Sequence, residues 1–265
     1  MNLTGKLVSE MKSMLSELKG TDRKTAVIFL SIALLQTISY YFVSDAYFAG
    51  NIYYNPEAEG IELLYGYFYT FACDTVLMLF LPLLVIRYCL KEKITAYGFS
   101  FRNTGAALEI SLICLIFIIP GVWYFSSDSA MPASYRQFFL IREKWEIFFI
   151  FESAVLFYMV AWEFLWRGYL LFGLKERYGA AAVFMQMLPF VIMHNGKPFA
   201  ETLTSIAGAI LLALLALRTG TFLYGVFIHY SLFFMFDLFS VLRYRSGEYG
   251  LGISSLAKIL ESLFL

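Results

Sequence analysis

Histidine is nearly missing from this sequence: His194 and His229 are the only two in 265 residues. Both fall in apolar stretches that read as membrane-embedded helix. Cysteine is scarce too. Cys73, Cys89 and Cys114 lie apart in apolar surroundings without a CxxC pair, which excludes a disulfide framework and a thiol metal site. Charge is thin, at 15% of residues against about 25% in soluble domains, too little to build a water-facing surface. The formal net charge is zero, so no basic field exists to hold nucleic acid, and no nucleic-acid partner is expected. No GxSG or GxGD motif occurs, which disfavours serine and aspartyl intramembrane proteases.

What the chain does have is apolar bulk: 60% of residues are hydrophobic and 19% aromatic. Most of the aromatic rings read as lipid-facing or interfacial. A spanning helix needs roughly 20 mostly apolar residues. Seven candidates meet or approach that length, at about 25–43, 61–87, 104–124, 146–177, 180–198, 201–217 and 221–242. The fold class is therefore all-α, a polytopic transmembrane helical bundle. Residues 1–24 mix charge with leucine and methionine and lack a cleavage site, so they read as an amphipathic cytoplasmic segment at the membrane surface. Residues 25–265 read as a single membrane domain. The stretch after Gly252 is weakly amphipathic and could form another surface helix.

Basic residues in short loops set orientation. Lys6, Lys12, Lys19, Arg23 and Lys24 precede the first span, and the loop 44–60 has none. Arg87, Lys91, Lys93 and Arg102 follow the second span, Lys175 and Arg177 the fourth, and Arg218 the sixth. The N-terminus is thus expected in the cytoplasm. Arg136, Arg142, Lys144, Arg243 and Arg245 fall on the opposite side and weaken the bias. Compact size and short loops suggest a bacterial cell (inner) membrane.

Ionisable residues inside a span are costly and tend to mark function. Here they gather in the second half of the chain. Glu163 lies 16 residues before Gly179 and His194 lies 15 after it, so an antiparallel pair brings both to a level about 23 Å from the turn. Glu163 and Arg167, spaced i,i+4, share a helix face and can form an ion pair. Glu152, 11 residues before Glu163, falls on that face about three turns away and could line the same cavity. His229 lies 9 residues beyond Gly220, about 13 Å from its own turn. Asp237 follows on the same helix. Glu201-Thr202 reads as a helix N-cap region with a rim role open. Asp74 and Glu109, without an evident partner, read as packing features. A carboxylate beside an imidazole in a low-dielectric pocket suits general acid/base work, and a second histidine can donate to an oxyanion.

At these residues the chain resembles the CPBP family of CAAX proteases and bacteriocin-processing (Abi) enzymes. The family pattern is Glu-Glu-x-x-x-Arg, then Phe-x-x-x-His, then His-x-x-x-Asn or Asp. The chain offers Trp162-Glu163-x-x-x-Arg167-Gly168, Phe190-x-x-x-His194 and His229, with Phe233 at the expected Asn or Asp. The resemblance covers about residues 145–242 and marks a divergent Trp-Glu-Phe-x-x-Arg-Gly branch, because Trp162 replaces the first Glu. It implies an intramembrane endopeptidase in which Glu163 is the general base, His194 its partner for water, His229 an oxyanion donor and Arg167 an orienter. Glu152, Glu201 and Asp237 are supporting candidates. The substrate would be a membrane-presented peptide or protein, such as a prenylated CAAX end or a processed leader. Two His and one Glu could ligate zinc, but HExxH is missing, no cofactor is expected and metal-free chemistry is preferred. The rival expectation is a catalytically inactive scaffold or partner protein of the same fold, suggested by Trp162 and Phe233. A transporter is weaker, because no pair of broken helices repeats in two halves.

Overall fold

The computed structural model describes residues 3–100 and 104–261. Arg102, used above for orientation, lies outside the described residues. All regular structure among the described residues is helical. In chain order the principal helices are α1 Leu3–Ser16, α2 Arg23–Phe42, α3 Gly60–Leu90, α4 Thr104–Phe125, α5 Trp145–Tyr178, α6 Ala181–Ile192, α7 Phe199–Thr219, α8 Leu223–Ser246 and α9 Ile253–Glu261. Short helical turns at Asp45–Asn51, Ala130–Ala133 and Arg136–Ile141 fill the loops on one side.

Among the described residues six helices are long and apolar enough to cross a membrane: α2, α3, α4, α5, α7 and α8. The chain is a polytopic helical bundle. Large apolar side chains such as Leu30, Leu34, Ile116, Phe117, Phe157, Leu188 and Leu211 stand exposed on its outside. In water they would form aggregation-prone patches; against lipid they are the expected surface. α1 buries no residue, and Leu3, Leu7, Met11, Met14 and Leu15 are exposed along it at helical spacing.

α5 is the axis of the bundle. Its 34 residues extend about 51 Å, well beyond the roughly 30 Å hydrocarbon core. Every residue from Ala161 to Leu174 is buried, as a central helix must be. α3, α6 and α8 pack around it, and α4 lies on the outer face of α8.

The fifth expected span falls short. A helix over 180–198 was expected; α6 ends at Ile192 after 12 residues. Beyond it the chain tightens into i→i+3 turns, with His194 N bonded to Val191 O at 2.9 Å and Asn195 N to Ile192 O at 3.1 Å. Gly196 then takes φ +93° and extended Pro198 starts α7. His194 therefore stands on a turn, not within a helix. Its backbone carbonyl is satisfied by Thr202 Oγ1 at 2.8 Å. Irregular backbone at this depth is tolerated where it is enclosed by protein.

Candidate active site

Glu163 is fully buried on α5, at the point where the helix widens into π-type i→i+5 bonding over Phe164–Phe172. Such bulges are frequent at functional sites. One carboxylate oxygen, Oε1, accepts from Arg167 Nη1 at 2.9 Å and from His229 Nδ1 at 2.7 Å. The other, Oε2, has no hydrogen-bond donor. It points toward α8 at Gly225, where a Cβ would lie only 2.9 Å from it. Glycine at 225 is thus what lets α8 approach the carboxylate. Gly168 has a parallel reason, because the Phe164 ring folds over it where any Cβ would stand.

Arg167 is also fully buried, with its guanidinium 4.3 Å from the Phe190 ring centroid. Its Nε and Nη2 have no acceptor. Phe190 separates the histidines: its ring lies 4.5 Å from that of His194 and 6.3 Å from that of His229. His194 Nδ1 donates to Phe190 O at 2.8 Å, which leaves Nε2 as an acceptor in the neutral ring. His194 remains within electrostatic reach of His229 and Arg167. Equal depth suggested that Glu163 and His194 face each other directly. The histidine in contact with Glu163 is instead His229, because depth along a helix does not fix the angle around it.

The supporting candidates separate from this cluster. Glu152 and Asp237 face each other one layer away across the same α5–α8 interface. Neither Glu152 oxygen has a hydrogen-bond donor, nor does Asp237 Oδ2. Glu201 sits in the first turn of α7, bound by Lys197 Nζ at 2.6 Å and by the Tyr135 hydroxyl, so it ties the His194 turn to the loop above it. Asp74, which showed no partner in the sequence, accepts from Ser39 Oγ at 2.7 Å and joins α3 to α2. Trp162 lies edge-on to Trp166 and His194, and its indole Nε1 has no acceptor. Phe233 packs against the apolar core. Among the described residues no three His, Cys, Asp or Glu side chains gather as a metal-ligating group.

Sequence reasoning gave Gly225 and Tyr135 no role. Gly225 had a signal, since it precedes His229 by one helical turn and so shares its face. Tyr135 had none, because it reaches Glu201 from a loop 66 residues away.

The geometry can be set beside known proteins. No curated protein and no solved structure matches the chain. Residues 143–235 match the family model described as type II CAAX prenyl endopeptidase Rce1-like. That segment, about a third of the chain, contains Glu163, Arg167, Phe190, His194, Gly225 and His229, and over it the chain is similar to CAAX proteases.

Proposed function

We propose that the protein is an intramembrane endopeptidase that hydrolyses a peptide bond by glutamate- and histidine-activated water. The observation that carries this reading is the division of labour within one carboxylate. Arg167 and His229 hold Glu163 Oε1, while Oε2 is buried, oriented and free to accept. A water bonded to Oε2 and to His194 Nε2 would lose a proton to the carboxylate as its oxygen attacks the substrate carbonyl. The carbonyl oxygen becomes an anion, and donors aimed at it lower the barrier. His229 can serve at Nε2 only in its charged form, for which Glu163 is the counter-ion. Trp162 Nε1 is a second donor beside His194. Collapse of the adduct breaks the C–N bond, and the proton held by Glu163 passes to the leaving amine.

The substrate in this reading is a peptide segment presented at the membrane, because the carboxylate is reached only from within the bundle. The matched family model is named for prenylated CAAX ends, which makes a prenylated C-terminal peptide the first substrate to try. Orientation follows with the N-terminus in the cytoplasm. Three of the basic residues on the opposite side are taken up by the protein itself. Arg136 pairs with Asp45, Arg243 is buried on Trp123 O and Gly250 O, and Arg245 binds Arg142 O and Glu143 O.

Wild type, Glu163→Gln and His194→Ala, purified in bilayer discs, should separate the readings on prenylated and unprenylated tagged peptides. The proposal expects cleavage by wild type alone. Equal cleavage by all three would sink the site. No cleavage by any, with folding verified by thermal unfolding, would favour the scaffold reading, for which Trp162 and Phe233 at family acid and amide positions are the supporting observation.

A further inference from the structure

A cavity far from Glu163 lies where three membrane helices end. α2 begins at Arg23, α3 ends at Leu90 and α5 ends at Tyr178, and the ends of α2 and α5 pack together there. The cavity measures ≈ 380 Å³, and its lining includes Lys24, Lys91, Lys93, Glu92, Tyr97 and Glu176. α2 has 20 residues and is about 30 Å long, matched to the hydrocarbon core, so its start and the cavity beside it sit at headgroup depth.

Its charges are of two kinds. Lys24 is committed to the protein, with Nζ 3.0 Å from Glu92 and 3.6 Å from Glu176. Glu92 also accepts from the Tyr97 hydroxyl at 2.5 Å. Lys91 and Lys93 are exposed, and neither forms an ion pair with a carboxylate among the described residues. Lys91 is also the one non-glycine residue with positive φ among those described, at φ 57° and ψ 34°. It caps α3 in the left-handed conformation, a position that glycine fills without steric cost. A lysine there accepts backbone strain to place an ammonium group at the rim. The helix dipole rewards a cation at this end, but that does not account for Lys93 two residues on, nor for a cavity between them and the acid-bound Lys24.

We propose that this cavity binds the phosphate of an anionic phospholipid headgroup through the ammonium groups of Lys91 and Lys93. Exposed Phe80 and Leu84, deeper on α3, would lie beside the acyl chains. The proposal is independent of catalysis and of which side faces the cytoplasm.

Native mass spectrometry of the full chain in mild detergent tests it, with phosphatidylglycerol and phosphatidylcholine added separately. Wild type should retain phosphatidylglycerol in preference to phosphatidylcholine. A juxtamembrane lysine contributes enough that losing two should cut retention about 10- to 30-fold. The variant is Lys91→Gly with Lys93→Ala, chosen because glycine relieves the strained cap, so its Tm should equal or exceed that of wild type. Lys258→Ala, on α9 beyond the end of α8, should leave retention unchanged. Equal retention by wild type and the double variant, or equal retention of both lipids, overturns the proposal. Inorganic phosphate alone is the remaining arm. If it raises Tm as much as phosphatidylglycerol and displaces it, the site belongs to a soluble phosphate and the lipid assignment falls.

Discussion

The α5–α8 interface holds two buried polar layers that are satisfied in opposite ways. In the inner layer one carboxylate, Glu163, meets two nitrogen donors, Arg167 and His229. In the outer layer Glu152, 1% exposed, faces Asp237, 2% exposed, and among the described residues no basic side chain forms an ion pair with either. Glu152 and Glu163 are 11 residues apart on α5, about 16 Å, and apolar Val155 and Met159 lie between them. Isolated charge is too costly to bury, so a buried carboxylate needs a cation or a proton. The inner layer has the cation. The outer layer has none, and a proton shared between the two carboxyls is what would let both be buried. A charged, oriented carboxylate can act as a base. A proton-bridged pair shares its single negative charge and holds two helices together. On the proposed reading the chemistry therefore belongs to the inner layer, although both layers contain acids on the same face of α5.

Five substitutions test that distinction. The largest contrast is in activity. Glu163→Gln should lower peptide cleavage by about 10³-fold or more, within the span expected for losing a general base, while Glu152→Gln should stay within a few-fold of wild type. A comparable loss from Glu152→Gln would merge the layers into one site. Stability should separate them next. Arg167→Ala strands a buried carboxylate and should cost about 3–5 kcal/mol, read as a fall in thermal unfolding temperature in detergent. Gly225→Ala tests the free oxygen itself. Its new Cβ would press on Glu163 Oε2, and a displacement of about 1 Å is worth about 10²-fold in rate. Unchanged kcat would mean that Oε2 does not hold the water. The smallest effect is expected from Asp237→Asn, whose amide can donate to Glu152 in place of the shared proton. Stability should change by about 1 kcal/mol or less. Unfolding of this variant would show that the outer layer carries charge after all.

Much of the scaffold was legible from hydropathy. The bounds of α2, α4 and α5 differ by two residues or fewer from those expected, because a continuous apolar run between charged ends leaves little choice. α6 misled because Phe190-Val191-Ile192-Met193 stays apolar through the place where the helix stops. The stop is set by Gly196 and Pro198, which follow the turn. The Glu163–Arg167 pair was readable because i,i+4 fixes both rise and angle. The Glu163–His229 pair was not, since separate helices can rotate freely in any estimate made from depth. Glu152 and Asp237 were each visible as acids in apolar helices, but nothing in spacing alone joins residues 85 positions apart. That Trp162 lies against His194 and Phe233 in the core required coordinates.

The nine-residue π segment that follows Glu163 also makes tolerance of chain shortening uneven along α5. A π segment stores surplus length, so deleting one residue between Phe164 and Phe172 can be absorbed by rewinding to ordinary helix, with the parts above and below keeping their facing. Between Glu152 and Glu163 there is no such slack. Removing one residue there turns one acid about 100° relative to the other, so that only one of the two layers can still meet α8. The spacing of 11 is therefore fixed by geometry, while the length of the segment beneath it is open to drift.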